Sequence, residues 1–441
     1  MPPINVGIIG FGTVGSGVVQ LMCDRPELLT RRLGGPLVLK RVADIDLHRP
    51  RPVAVDQSLL TSQARDILDD PDIDVVVELI GGVEDARELV LAAIDRGKHV
   101  VTANKALLAL HGNDIFAAAA QKGVEVAFEA SVCGGIPIIQ TLRVGLAANR
   151  IRELLGILNG TTNYILTHMS DMGTSFDQAL AEAQAQGYAE ADPTLDVEGV
   201  DAAHKLAILM GLAYGARLDF PAITVEGISG LDPLDLQFAR EFGYVIKLLA
   251  ITRNDGEALE ARVHPTLIPK EHMLAHVKGA FNAVHLIGDA VGPLLLCGQG
   301  AGGLTTASAV MSDLMDLARN VHQGVNNRVP PLGSVAGLET RRPFKPMADI
   351  VTNYYFRFAA LDRPGVLSQI SGILGKYSIS IGAVIQKGRE VKGAVPIVMI
   401  THEATEAGVR QALREIDGLP VVSPPTIMYR IEDPHLHAAQ I

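Results

Sequence analysis

The sequence predicts an α/β chain in three parts: a doubly wound parallel sheet, an α+β middle and a C-terminal βαββαβ unit. Three observations carry that prediction. Over residues 1–135 short, nearly continuous apolar runs alternate with helical stretches, the pattern of parallel strands covered on both faces. From residue 136 the rhythm lengthens into helices followed by longer strand-like runs. After a proline-bearing stretch, the tail reads strand, helix, strand, strand, helix, strand. With 441 residues, several domains are expected, because one domain spans roughly 100–200 residues.

Taken in order, the strands of the first part are Ile4–Ile9, Leu37–Ala43, Asp74–Leu79, His99–Thr102 and Val124–Ala127. The second part, residues 136–325, holds an apolar helix at Asp201–Ala213 and strands at Tyr244–Thr252, Ala261–Pro265 and Asn282–Ile287. Its last helix, Ala309–Arg319, is placed to return to the first domain. Residues 326–350, with their prolines and Arg341-Arg342, read as a linker. The third part, residues 351–432, gives Asn353–Leu361, Val366–Tyr377, Ile379–Lys387, Ala394–Thr401, Ala404–Ile416 and Val421–Ile431, a ferredoxin-like order.

Composition narrows the partners. A formal net charge of −11 argues against nucleic acid or an anionic membrane, whose surfaces call for excess Lys and Arg. A small-molecule ligand fits better. Cys23, Cys133 and Cys297 are odd in number and far apart, so neither a disulfide framework nor a zinc site is indicated. No basic region precedes the N-terminal apolar run, and no apolar stretch reaches the length of about 18 residues that a membrane span requires. A cytoplasmic location is therefore expected.

Gly10-Phe11-Gly12-Thr13-Val14-Gly15 follows the first strand and opens a helix. In that context it is a dinucleotide motif of the Rossmann type. Gly10 permits the turn, Gly12 lets the backbone approach a pyrophosphate, and Gly15 lets helix and strand pack, with the helix N-terminus at Thr13 and Val14 facing the phosphates. Asp44, ending the second strand, suits a ribose 2′-hydroxyl and so NAD. His48, Arg49 and Arg51 suit the 2′-phosphate of NADP, and the choice stays open with a lean to NAD. Gly81-Gly82 and Thr102-Ala103-Asn104-Lys105 follow later strands, where Lys105 can bridge cofactor and a substrate carboxylate.

Glu198, Asp201 and Lys205 fall on one face of the apolar helix, with His204 adjacent as a satisfied, partly buried histidine. Two readings stand: a face bordering a polar cleft, or a surface ion pair. The preceding Gly187–Asp196 loop carries Glu190, Asp192 and Asp196. Those acids suit a substrate ammonium; divalent-metal binding ranks below it.

Several motifs in order make the chain resemble the homoserine dehydrogenases over nearly its whole length. They are GFGTVG at Gly10, ELIGG at Glu78, TANK at Thr102, FEASVCGGIPII from Phe128, LNGTTNYIL from Leu158, GYAEADPTLDVEGVDAAHK from Gly187, VHPTLIP from Val263 and GQGAGGLTTASAV from Gly298. The resemblance implies interconversion of L-homoserine and L-aspartate 4-semialdehyde, in threonine, methionine and isoleucine biosynthesis. It also implies Lys205 as general acid/base, Asp201 as its orienting partner, and Glu190, Asp196 and Asp201 near the amino-acid substrate. Gly187 and Gly302 match backbone positions beside cofactor and substrate. Glu129, Val132, Gly134 and Ile136 match carbonyl positions of a sodium loop.

Leu361-Asp362-Arg363-Pro364-Gly365-Val366-Leu367 resembles the signature of ACT domains. That implies threonine as an effector, a homo-oligomer, either dimer or tetramer, and a tail whose removal near Ala348 spares catalysis. Two rivals remain. A thioester-forming semialdehyde dehydrogenase would use Cys133 as nucleophile, and a nucleotide-binding amino-acid sensor would have no catalysis and no need of the Asp201 and Lys205 pair.

Overall fold

In the computed structural model, which describes residues 1–335, 342–386 and 393–433, six parallel strands form the N-terminal sheet. They are β1 (Ile4–Ile9), β2 (Leu37–Ala43), β3 (Leu60–Thr61), β4 (Val75–Glu78), β5 (His99–Thr102) and β6 (Val126–Ala127), ordered β3-β2-β1-β4-β5-β6. Val6, Ile8, Val75, Val77, Val100 and Val101 are fully buried, which is why these strands read as continuous apolar runs. β3 escaped the sequence reading because two residues carry no periodicity. The strand order reverses between β1 and β4, and a doubly wound sheet takes its ligand in the crevice at the carboxyl ends there.

The helix Gly303–Gln323 packs against the first helix of the chain, Thr13–Asp24, and shares its core with Val18, Val310, Leu314 and Ala318. A Cβ at Gly17 would lie 2.7 Å from the Gly303 carbonyl oxygen, so the two backbones touch. This helix is longer than Ala309–Arg319 because its first turn, Gly303-Leu304-Thr305-Thr306, is poor in strong helix formers and gave no signal.

An 11-stranded sheet runs through the remainder. Its strands are β7 (Ile151–Ile157), β8 (Thr224–Val225), β9 (Tyr244–Asn254), β10 (Leu259–Pro269), β11 (Phe281–Gly288), β12 (Gly292–Gln299), β13 (Val351–Leu361), β14 (Ile381–Gln386), β15 (Ala394–Thr401), β16 (Ala404–Thr405) and β17 (Val422–Ile431). The order is β12-β11-β7-β9-β10-β17-β13-β15-β14, with β8 on β10 and β16 on β13. The sequence reading missed β7, where Arg152-Glu153 interrupts the apolar run, and β12, whose glycines and Pro293 imitate a loop. β10 continues past Pro265, which pairs with Leu248 inside the ladder. The C-terminal β13, β14, β15 and β17 with the helices Val366–Lys376 and Glu406–Asp417 make the ferredoxin-like ACT unit.

The linker is not the tail's only connection to the middle domain. β17 pairs in parallel with β10, Thr266 opposite Arg430 and Leu267 opposite Ile431, so one sheet crosses both domains. Buried charges follow the same seam. Arg253 meets Glu432 at 2.5 Å, Arg262 also pairs with Glu432, Arg430 forks onto Glu226 and Arg357 binds Asp235. Within the stretch read as a linker, Pro343 accepts a hydrogen bond from the Leu259 N–H and the Lys345 N–H donates back to Leu259, laying it along β10. Arg341 and Lys387, included in the linker and strand readings, lie outside the described residues.

Candidate active site

The glycine-rich turn is built by close approach. Gly10 has φ +106 and a Cβ there would sit 2.6 Å from the Leu79 backbone, while a Cβ at Gly15 would collide with the Gly10 carbonyl. Gly12 differs: nothing lies within 4 Å of its Cβ position, and it precedes a helix with no side-chain cap. Exposed Thr13 and half-buried Val14 begin that helix, whose first N–H groups are placed for an anion. Asp44 Oδ2 accepts from the Phe11 N–H at 2.6 Å and Oδ1 from the Asp46 N–H at 2.8 Å, so the acid also braces the turn. Arg51 lies 3.4 Å from Asp44 Oδ1 and stacks over the Phe11 ring at 4.5 Å. Beside Asp44 is a cavity of about 300 Å³ walled by Ala43, Ile45, Ile80 and Leu89.

Across the crevice, buried Glu78 ties two strand ends together. Its carboxylate accepts from the Thr102 hydroxyl at 2.6 Å and the Ile80 N–H at 2.9 Å, and burial raises its pKa above the usual carboxylate range despite those bonds. Asn104 donates to the Gly82 carbonyl and caps the helix Lys105–Lys122. Lys105 is thereby held at the carboxyl end of β5, where its Nζ reaches Asp201 Oδ1 at 3.3 Å.

Asp201 and Lys205 occupy the helix Val200–Tyr214, which is buried throughout from Asp201 to Leu212. Lys205 Nζ donates to Asp201 Oδ2 at 2.6 Å and to the Leu158 carbonyl at 2.7 Å. The surface-pair reading is therefore excluded, since both side chains are about one-tenth exposed, 11% and 8%. Burial alone would raise Asp201, but the Lys205 and Lys105 cations overcome it and hold the carboxyl well below its usual range. Burial opposes the charge on Lys205 as well, and Asp201 overcomes it, raising the ammonium pKa. His204 is buried against the Phe220 ring at 4.6 Å, and burial keeps it neutral by lowering its pKa.

Glu198 does not join this stripe. Gly199 takes φ +80 ahead of the helix, which turns the exposed Glu198 away from its axis. Asp196 does converge. Asn159 donates its two amide hydrogens to Asp196 at 2.7 Å and to Asp201 at 2.8 Å, while its own oxygen accepts from the Thr162 N–H. Burial, then repulsion from Asp201, raises the Asp196 pKa. The sequence reading passed over Asn159 inside its motif; the N-cap pattern ahead of the helix Gly160–Met172 was the available signal. Glu190 is exposed on its loop, outside this hydrogen-bonded group, as are Asp192 and Gly187. Gly302 caps the returning helix Gly303–Gln323.

The segment Phe128–Ile139 closes the site from the hinge side. Glu129, Val132, Gly134 and Ile136 are buried in irregular backbone, with Cys133 at φ 55 and Gly134 at φ 47, and a Cβ at Gly134 would lie 2.5 Å from the Gly300 carbonyl. The Glu129 carboxylate accepts from the Ile139 and Gln140 N–H groups, one bond on each oxygen. Backbone carbonyls in such a loop suit a monovalent cation. Cys133 lies near Lys205, but burial pushes its thiol up to about 11, so it is not a ready thiolate nucleophile. A larger cavity of about 1410 Å³, lined by Arg143, Tyr214, Arg253 and Lys345, lies apart from Lys205 and the glycine turn.

A dinucleotide crevice that shares its floor with a buried lysine–carboxylate pair, followed by an ACT unit, defines a nicotinamide-dependent oxidoreductase of amino-acid metabolism. Family models agree part by part: "Homoserine dehydrogenase, NAD binding domain" matches residues 10–129, "Homoserine dehydrogenase" residues 137–315 and "ACT domain" residues 354–421. Homoserine dehydrogenase of Pseudomonas aeruginosa is 48% identical over 98% of this chain and 99% of its own. The crystal structure of a homoserine dehydrogenase from Thiobacillus denitrificans superposes with TM-score 0.92 at 49% identity, covering 98% of each chain. A hyperthermophilic archaeal homoserine dehydrogenase in complex with NADPH covers 74% of this chain and 100% of its own at 25% identity, TM-score 0.62. The chain belongs to the homoserine dehydrogenase family and is an NAD(P)-dependent oxidoreductase acting on a CH–OH group. That sets aside both the thioester-forming dehydrogenase and the non-catalytic sensor. No helix among the described residues is long and apolar enough to cross a membrane.

Proposed function

We propose that Lys205 is the general acid/base of L-homoserine and L-aspartate 4-semialdehyde interconversion. The observation that supports it is the buried contact of Lys205 with Asp201, whose other oxygen meets Lys105 at the sheet's carboxyl end. The nicotinamide, when bound, accepts or supplies the hydride. In oxidation the neutral Lys205 amine takes the hydroxyl proton as the C–H hydride leaves; in reduction its ammonium returns that proton and stabilises the developing alkoxide. Asp201 orients Lys205 and, together with Asp196 and Glu190, binds the polar ends of the amino acid, and Lys105 neutralises its carboxylate. Glu190 reaches the substrate from its exposed loop.

Gly10, Gly12, Thr13, Val14 and Gly15 hold the pyrophosphate, and the cavity beside Asp44 takes the adenine against its apolar wall. Gly187 and Gly302 bring backbone up to cofactor and substrate. Asp44 favours a 2′-hydroxyl, while Arg51 offsets its charge and exposed Arg49 and His48 are available to a 2′-phosphate, so NAD and NADP are both accepted, NAD slightly better. The carbonyls of Glu129, Val132, Gly134 and Ile136 hold a sodium ion that stiffens the hinge. Threonine acts through the ACT unit by shifting a two-state equilibrium in a cytoplasmic homo-oligomer of the threonine, methionine and isoleucine route.

Nicotinamide absorbance, followed with L-homoserine and each cofactor, with and without threonine and sodium, tests these assignments. Lys205→Met is the decisive variant: kcat is expected to fall about 10²- to 10⁴-fold while cofactor binding persists, and near-normal turnover would remove the mechanism.

A further inference from the structure

Of the cations that the ACT unit sends into the catalytic domain, Arg430 is more deeply buried than Arg357. Arg430 of β17 is 1% exposed and clamps two carboxylates. Its Nε and Nη2 donate to Glu406 at 2.9 and 2.7 Å, and its Nη1 and Nη2 donate to Glu226 at 2.9 Å each. Arg410 also meets both carboxylates, and Tyr354 donates to Glu406, so Glu406 is fixed within the ACT unit while Glu226 belongs to the catalytic side.

Glu226 opens a segment pressed against the substrate loop. The Ile228 N–H donates to the Val197 carbonyl at 2.8 Å, and a Cβ at Gly227 would lie 2.5 Å from that same carbonyl and 2.6 Å from Glu198 Cα. The Glu226 N–H is tied to Val263 of β10 at 2.8 Å. The turn it backs onto runs from Asp196 to Gly199, where the Gly199 N–H donates to the Asp196 carbonyl at 3.0 Å. Gly199 in turn sets where the Asp201 and Lys205 helix begins.

We propose that Arg430 and Glu226 are positioning residues that hold the Asp196–Gly199 turn, and with it the substrate-binding carboxylates, from the regulatory domain. The proposal rests on Asp196 and Asp201 being those carboxylates. A buried ion pair is a weak source of net stability, whereas a guanidinium forked between two carboxylates gives a defined direction and distance. A shift of the Glu406 helix against the sheet is therefore felt at Asp196 through a short path of packed backbone.

The test measures homoserine KM, nicotinamide KM, kcat and thermal midpoint for Glu226→Gln, Arg430→Met, Arg430→Lys and the Glu226→Gln/Arg430→Met double variant, beside Lys205→Met. Glu226→Gln, a partly exposed position that leaves Arg430 paired with Glu406, should raise homoserine KM about three- to thirtyfold, with nicotinamide KM unchanged. Arg430→Lys should fall between wild type and Arg430→Met, and the double variant should be no worse than Arg430→Met. A lowered thermal midpoint with wild-type homoserine KM in folded Glu226→Gln overturns the proposal and leaves a structural clamp. Retained turnover in Lys205→Met instead overturns the site reading on which it rests.

Discussion

Lys105 and Lys205 grip opposite oxygens of one carboxylate: Lys105 Nζ is 3.3 Å from Asp201 Oδ1 and Lys205 Nζ is 2.6 Å from Oδ2. They arrive from different domains, Lys105 from the end of β5 and Lys205 from the middle of a buried helix. Asp201 is therefore the point at which the dinucleotide sheet and the substrate domain meet electrostatically, and its ionisation is secured by both cations. Lys205→Met leaves Lys105 to neutralise it, so the fold should survive while kcat falls about 10²- to 10⁴-fold, the range for losing a general acid/base. Steady-state rates with a cofactor-binding titration check this; an unchanged kcat assigns the proton to another group.

The pH profile should have opposite limbs in the two directions. Asp201 raises the Lys205 pKa, so Lys205 stays protonated at neutral pH and the base needed to oxidise homoserine is scarce there. Oxidation should accelerate as pH rises towards that raised pKa, and reduction should slow through it. Asp201→Asn removes the largest of the causes that oppose burial and leaves only the pull of Cys133 and Asp196, so the limb should move to lower pH. Rate profiles in both directions decide it, and an unmoved limb in Asp201→Asn would show that Lys205 is not the titrating group.

Much of this was legible in the sequence, and the misses have physical causes. The parallel sheet could be read because strands buried on both faces leave runs such as Val75–Val77, and the glycine turn because its contacts demand glycine at Gly10 and Gly15. β7 was lost because Arg152 and Glu153, one exposed and the other paired with Arg253 at 2.6 Å, put two consecutive charges at the start of an otherwise buried strand. Helical spacing placed Asp201 beside Lys205, but nothing local announced that Lys105, nearly a hundred residues earlier, reaches the same carboxylate. Glu198 was drawn into the helix because spacing cannot see the positive φ of Gly199. The seam between β17 and β10 was invisible for the same reason: pairing between distant strands leaves no local period.

The two kinds of glycine in the motif should separate in mutation. Gly12→Ala adds a methyl where nothing lies within 4 Å, so stability should hold while nicotinamide KM rises, because the space is kept for pyrophosphate. Gly15→Ala drives a methyl into the Gly10 carbonyl and should lower the thermal midpoint by several degrees, a loss of about 1–3 kcal/mol. Equal cofactor KM in wild type and Gly12→Ala would mean that the turn does not approach a ligand.

Asn159→Ala should damage binding and stability together. Its amide is the donor shared by Asp196 and Asp201, and without it two buried carboxylates face each other with less to separate their charges. Its oxygen also caps the helix Gly160–Met172, a contribution of about 1 kcal/mol. Homoserine KM should rise and the urea midpoint fall. Asn159→Asp keeps the cap but sets a third carboxylate against the other two in a buried position, so at neutral pH it should lower the midpoint at least as far as Asn159→Ala and raise KM as well. If both variants keep wild-type KM, Asp196 and Asp201 do not bind substrate as a coupled pair.

Truncation after Met347 sets the two views of the tail against each other. A tethered module would leave a catalytic chain of unchanged stability. In this structure the cut removes β17 from the edge of β10, takes Glu432 from Arg262, which is 1% exposed, and takes Arg430 from Glu226. Breaking one buried pair by removing a partner costs about 3–5 kcal/mol, and an uncovered edge strand invites aggregation. The truncated chain should therefore melt far lower than wild type or precipitate. A truncated chain that melts with wild type would mean that β10 and its arginines do not depend on the tail, and the continuous sheet would then contribute nothing to the stability of the catalytic domain.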